Sequence, residues 1–282
     1  MRIFLSISLL CLLVLSHSAQ AETPVKTRQT DSFRLHYAMY AGGFQAMTMT
    51  MDFTFSAANA TPSYQASLHA KPYGVLGHFL PWAGEYSVTG ITTNNLFYPL
   101  SHTKISQWRD DQDRYVMTYR NHNMISLQKT EIDNGKTTTD NAMPDASFYS
   151  GTVDIMTAAI RVMERLDQGQ DCTTSSDVFD GKRRFRLGFT PQGTEQLTAS
   201  RYNMFNGTAT VCDVEMFPLK GYKKKPTGYY KIQEAARKRG HLPRVWFGTI
   251  GTNKNVVPVK MLVRSEYGAV LVHLQKTESL SR

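Results

Sequence analysis

Cysteine is scarce in this chain, with three in 282 residues, at Cys11, Cys172 and Cys212. That excludes a small, densely cross-linked scaffold, and the paired Cys-x-x-Cys spacing of structural zinc sites is absent. Long apolar runs are missing after Leu15, so nothing later approaches the roughly 18 uninterrupted apolar residues of a membrane-spanning helix. Short signatures of common chemistry are missing too. There is no His-Glu-x-x-His, no Gly-x-Ser-x-Gly, no phosphate-cradling Gly-x-x-x-x-Gly-Lys-Ser/Thr loop and no dinucleotide fingerprint. We therefore expect no metal, no cofactor and no catalytic residues, a non-enzymatic protein.

What is present begins with an address. Met1-Arg2, the apolar run Ile3 to Leu15 and then Ser16-His17-Ser18-Ala19-Gln20-Ala21 have the three parts of a secretory signal peptide. About 13 apolar residues are too few for a bilayer that needs around 20. Cys11 follows Ser8-Leu9-Leu10, not the small-residue box that precedes a lipidated cysteine. The reading is a cleaved leader over residues 1–21 and a periplasmic location for residues 22–282 as a single β-rich domain. In an oxidising compartment Cys172 and Cys212 are most simply one bridge, worth roughly 4 kcal/mol for a loop of about 40 residues. Two free thiols or a metal pair are the alternatives, though no second close Cys or His supports the latter.

The first half reads as strands. Met47, Met49, Met51, Phe53 and Phe55 alternate with Thr48, Thr50, Asp52 and Thr54, a period of two that puts five apolar side chains on one face. Gly42-Gly43 turns Phe33 to Tyr40 back into Gln45 to Ser56. Tyr64 to Lys71, Glu85 to Thr92, Leu96 to Gln107, Arg114 to Arg120 and Met124 to Thr130 follow as strands between Gly, Asn and Asp clusters. Pro99 marks an edge or a bulge. Tyr73 to Trp82 reads as a short helix or bent loop whose Phe79, Leu80 and Trp82 cover a barrel mouth or edge a pocket. Asp133 to Asp145 reads as a surface loop.

A helix follows. Asp154 or Thr152 caps it, and Met156, Ala159, Ile160, Met163 and Leu166 recur at spacings of three and four until Gly169. Such a stripe has to bury against something, here the concave side of a curved sheet. Arg183 to Phe189, Gln196 to Phe205, Thr208 to Phe217, Val245 to Ile250, Val256 to Tyr267 and Ala269 to Thr277 complete the strands. Regular short strands with frequent turns indicate a mainly β fold. We expect a curled antiparallel sheet or open β-barrel of about a dozen strands with one packed amphipathic helix.

Charge is uneven. Residues 22–150 hold 10 Lys plus Arg against 11 Asp plus Glu, whereas residues 151–282 hold 21 against 12. The excess concentrates in a segment near 220–240, with Lys220, Lys223, Lys224, Lys225, Lys231, Arg237, Lys238 and Arg239, and its second part, Lys231 to Arg239, is predicted to be helical, with Glu234 four residues before Lys238 to pair with it. An anionic partner is implied. Tyr222, Tyr229 and Tyr230 would suit nucleic acid, but export argues against that, leaving headgroups, glycolipid phosphates or an acidic envelope protein. A solvated loop is the plain alternative.

The order Val153-Asp154-Ile155-Met156, Cys172, Val178-Phe179-Asp180-Gly181-Lys182-Arg183, Cys212, Leu242-Pro243-Arg244-Val245-Trp246, Val257-Pro258-Val259 and Tyr267-Gly268 resembles a bacterial envelope family of unknown function, the DUF3108 type. The resemblance covers Ser32 to Leu274. It implies an exported, curled antiparallel β structure, and it transfers no catalytic residue. The basic segment looks like an insertion relative to that family.

Smaller patterns carry less. Ser126-Leu127-Gln128-Lys129 matches Ser-x-x-Lys in a strand where that chemistry needs a helix start, and Asp110, Asp111 and Asp113 lack the Gly and distal Glu of a calcium loop. The expected function is binding of a lipid, glycolipid or other envelope component in support of envelope integrity, with peripheral membrane contact. Met47, Met49, Met51, Phe53, Phe55, Phe79, Leu80, Trp82, Met156, Ile160 and Met163 would line the apolar part. The basic segment would meet the negative headgroup. A scaffold docking an acidic partner through that segment is the second reading, and an envelope hydrolase a remote third.

Overall fold

The computed structural model describes residues 30–57, 61–222, 228–265 and 268–280. The leader, Lys223, Lys224 and Lys225 lie outside them.

The first eight strands form a meander. They are β1 (Asp31–Ala41), β2 (Phe44–Ser56), β3 (Ser63–Pro72), β4 (Trp82–Thr93), β5 (Leu96–Trp108), β6 (Asp111–Arg120), β7 (Asn123–Asp133) and β8 (Lys136–Asp140), with α1 (Leu76–Phe79) between β3 and β4. After α2 (Ala146–Tyr149) and α3 (Ile155–Asp167) come β9 (Thr174–Phe179), β10 (Arg184–Leu197), β11 (Gly207–Lys220), α4 (Gly228–Lys238), β12 (Arg244–Ile250), β13 (Asn255–Ser265) and β14 (Gly268–Ser279). Among the described residues all fourteen strands belong to one sheet in the order β8-β7-β6-β5-β4-β3-β2-β1-β14-β13-β12-β11-β10-β9. Every neighbouring pair is antiparallel, so β1 and β14, at the two ends of the chain, join at the middle of the sheet.

The sheet is rolled but not closed. Its β9 edge does not pair with β8. Phe179, at the tip of β9, instead packs with Tyr115, Met117, Tyr119, Met124 and Leu127 on the inner face of β6 and β7. Asp180 comes within 3.7 Å of Lys104 on β5. The outer edge of β9 is bridged in parallel by Val153, whose N–H reaches Asp177 O at 3.0 Å and whose carbonyl accepts from Phe179 N at 3.1 Å. Gly181 sits so close to Tyr115 that a Cβ would fall 2.7 Å from the ring, which is why this turn needs glycine.

Helix α3 lies inside the roll, against β4, β5, β9 and β13. Its start is capped by Asp154, which accepts from Thr157 N at 2.9 Å. Met156, Ile160 and Met163 join Leu35, Phe53, Phe55, Tyr64, Phe97, Val257 and Leu274 in the main core. Burial exceeds the one stripe expected, because Ala158 packs with Val153, Val178 and Phe185 on another side. Glu164 is buried as well, and Arg161 donates to the Phe97 carbonyl at 2.7 and 3.0 Å. A helix enclosed by a rolled sheet buries most of its circumference.

Cys172 and Cys212 form the bridge, with both residues fully buried. It ties the chain leaving α3 to β11.

Three local expectations are corrected. Within Asp133 to Asp145, Lys136–Asp140 forms β8; all five residues are exposed, so no apolar alternation announces the strand. Gln196 to Phe205 is not one strand: β10 ends at Leu197 and the chain turns before β11. There Ser200 Oγ accepts from Tyr202 N and Asn203 N, and Asn203 Oδ1 accepts from Phe205 N, so side chains take the backbone donors a ladder would use. Third, Glu234 pairs with Arg237 at 2.9 Å, not with Lys238.

Candidate functional site: an apolar and basic end of the roll

In a meander of antiparallel strands, alternate connections fall at the same end. The β1–β2, β3–β4, β5–β6, β7–β8, β9–β10, β11–β12 and β13–β14 connections therefore form a ring around one end of the roll, while the remaining hairpins lie at the other.

Three of these connections are adjacent and joined by backbone hydrogen bonds. Tyr73 N donates to Ala46 O at 3.0 Å, and Arg109 N donates to Pro81 O at 2.9 Å. Their tips carry large apolar side chains facing solvent: Phe44 is 78% exposed, Phe79 77% and Val75 67%, with Tyr73, Leu80 and Trp108 also exposed. Phe79 and Leu80 thus face outward and do not cover the mouth of the roll. Trp82 does turn inward, over Gly84, with its indole N–H donating to Ser106 Oγ at 3.2 Å.

The basic segment is partly structural. Gln233 of α4 is fully buried and its amide pairs with Met216, donating to the carbonyl at 2.6 Å and accepting from the N–H at 2.7 Å. β12 pairs with β11 only as far as Asp213, so α4 supplies the hydrogen bonds that a neighbouring strand would otherwise make to Met216. Arg237 is held by Glu215 and Glu234. Lys220 bonds Ser147 Oγ and lies 5.6 Å from the Phe148 ring centre, yet stays exposed, as do Lys231, Lys238 and Arg239.

Inside the roll a polar seam joins the motifs at residues 153–156 and 178–183. Asp154 and His102 are buried, with His102 Nδ1 3.6 Å from the carboxylate. Burial pushes the imidazole pKa down; Asp154 and a hydrogen bond with the Ser87 backbone oppose this. Thr157 Oγ1 bridges Asp154 and Tyr64 Oη, the latter at 2.7 Å. Burial raises the Tyr64 phenol, and burial aided by Asp154 raises that of Tyr119, keeping both protonated. Toward the basic end, Asp180 takes both Lys104 and Arg183, the latter at 3.1 Å. The inner pair is at most 2% exposed, so its chemistry is that of a clamp on the helix. Sequence reading missed it because Asp154 and His102 lie 52 residues apart, without a spacing signal.

The predicted apolar lining is packed among itself. Met49 and Met51 lie against the cluster that contains Phe53, Phe55, Met156, Ile160 and Met163, and Met47 is half-buried. An opening of about 120 Å³ at the other end touches Phe55 and Phe97. A larger groove, about 410 Å³, lies on the outer face among Arg34, Thr50, Asp52, His69, Lys71 and Glu85. Among the described residues no helix is long and apolar enough to cross a membrane, and no group of three or more His, Cys, Asp or Glu side chains is placed to hold a metal ion.

The fold defines a mainly β, barrel-like roll wound on its own helix. Residues 32–275 match the family model described as "Protein of unknown function (DUF3108)", and the chain belongs to that family. No curated protein matches it significantly. Among solved structures it is similar to a β-barrel-like protein of the DUF1849 family from Brucella abortus, at 10% identity and a TM-score of 0.47, over 91% of this chain and 100% of that one. A DUF1329 family protein from Desulfovibrio piger is more distant, at 12% identity and a TM-score of 0.21, over 89% and 88% of the two chains.

Proposed function

We propose that this is a non-catalytic periplasmic protein that binds an envelope component at its outer surface and so supports envelope integrity. The observation that carries the reading is that α3 occupies the concave wall that a carried amphiphile would need. A ligand pocket for a molecule of lipid size is typically several hundred Å³. The opening beside Phe55 and Phe97 is about 120 Å³, whereas the exposed apolar tips and cations lie outside.

The test is native mass spectrometry with lipid extraction on protein purified from an oxidising compartment. The expected species is the bare polypeptide, lighter by the two hydrogens of one disulfide. A stoichiometric lipid that survives purification would refute the surface reading and return the function to the Met and Phe face. Exposed Lys238 and Arg239 favour a second reading, a scaffold that docks an acidic protein. Salt-sensitive capture of one defined acidic partner, lost in K238E/R239E, would establish it.

A further inference from the structure

We propose that the end of the roll bearing the odd-to-even strand connections is a docking face for an anionic lipid bilayer. This rests on the surface reading above and names the partner.

Three observations converge on that end. The first is the character of its tips. Phe44, Val75, Phe79, Leu80 and Trp108 are exposed on three successive connections, although turns ordinarily carry small polar residues. The opposite end has polar turns at Asn94-Asn95, Asn121-His122 and Thr252-Asn253-Lys254, and its exposed large apolar side chains are Leu96, Tyr202 and Met204. An exposed apolar patch concentrated on three adjacent, hydrogen-bonded connections marks a contact surface.

The second is shape. The apolar side chains are spread over three projecting connections, with Val75, Phe79 and Leu80 together on the middle one. The connections are hydrogen-bonded into one unit, and strands β2 to β5 span about 15 Å at roughly 4.8 Å per strand. A protein partner would need matching hollows for each tip, whereas the headgroup and upper acyl region of a bilayer accepts discrete apolar and aromatic tips, and Trp and Tyr favour that zone.

The third is charge. Exposed at the same end are eight cations, Lys71, Arg109, Lys136, Lys182, Lys220, Lys238, Arg239 and Arg264, against five exposed carboxylates, Glu85, Asp110, Asp113, Asp133 and Asp145. Cations ringing apolar tips are the arrangement that anionic headgroups attract, each basic side chain adding to the affinity until salt screens it. The fold also explains why the basic segment sits there: α4 is the β11–β12 connection, anchored by Gln233.

The experiment is flotation of the purified periplasmic protein with vesicles of phosphatidylcholine alone and of phosphatidylcholine with 30% phosphatidylglycerol. The expected result is binding to the mixed vesicles at least tenfold tighter than to the neutral ones, weakening as salt rises. V75E/F79E should lose at least tenfold while keeping its urea midpoint, since both side chains are already in solvent. K238E/R239E should weaken binding to the mixed vesicles only. The proposal is overturned if the protein does not float with anionic vesicles, or if V75E/F79E floats as well as the parent. A bare polypeptide by mass spectrometry that fails to float leaves the surface reading standing and sinks the bilayer. A bound lipid inside the roll sinks the surface reading itself.

Discussion

Asp154→Ala is the most informative single perturbation of the fold. In the parent, the Asp154 carboxylate accepts from the Thr157 N–H at 2.9 Å and from its hydroxyl, with no solvent access. Alanine removes the N-cap, worth about 1 kcal/mol. It also leaves a buried N–H unpaired, which costs about 1–3 kcal/mol, a term that partly overlaps the first. Thr157 Oγ1 keeps Tyr64 Oη at 2.7 Å, so the hydroxyl adds little. The expected loss is about 2–3 kcal/mol, or a Tm lower by roughly 5–10 °C for a domain of this size. Asp154→Asn preserves an acceptor for Thr157 N and should cost less than about 1 kcal/mol. The assay is urea unfolding followed by tryptophan fluorescence, with slopes compared to confirm that the denatured states are alike. If Asp154→Ala lies within about 0.5 kcal/mol of the parent, the seam does not clamp α3. If the asparagine variant is as damaged as the alanine one, the carboxylate charge matters more than the cap, and the reasoning fails.

Replacing Cys172 and Cys212 together by serine should lower stability by about 4 kcal/mol, read from urea midpoints. In the folded parent both sulfurs are buried, so thiol titration under reductant should find them only once denaturant is added. His102 is held below its ordinary value by burial, so the unfolded chain takes up the proton more readily. Its contribution is therefore complete above about pH 6.5 and is lost as pH falls below that. His102→Asn should flatten the decline of Tm as pH falls below about 6.5; His273, lowered by burial and by Lys260, leaves a residual slope. An unchanged pH profile would show that His102 is not the responsible group. Gln233→Leu strands the Met216 N–H and carbonyl, and should cost about 2–3 kcal/mol. Hydrogen exchange should quicken around Met216 before the β1–β2 hairpin responds.

The sheet was largely legible because its inner face alternates. Met47 to Phe55 declares both a strand and the face that meets the core, and the pairings of β1, β2 and β3 follow that period. Where alternation fails, so does the reading. Lys136–Asp140 carries no apolar side chain, and Ser200 and Asn203 divert the backbone locally. The site was harder to see. Phe79 and Leu80 are apolar, and a sequence rule sends apolar residues inward; only the topology shows them on a projecting tip. The basic segment was visible as charge, but the role of Gln233 was not. An uncharged amide between Ile232 and Glu234 acquires meaning only beside the edge of β11. The Asp154–His102 pair depends on β5 and α3 being brought together by the roll, a contact between distant residues that composition cannot report.

The meeting of β1 with β14 at the middle of the sheet bears on the order of assembly. Phe33 faces Ser279 across that seam, so the pairing that unites the two halves waits until the chain has been made as far as β14. Until then β1 and β13 each present a bare row of backbone donors and acceptors, the arrangement most prone to pairing with another molecule. Contacts between such distant residues also form slowly. A chain truncated before Gly268 would therefore hold two half-sheets without their shared strand, and its characteristic failure would be aggregation through those edges, even with both hairpin systems intact.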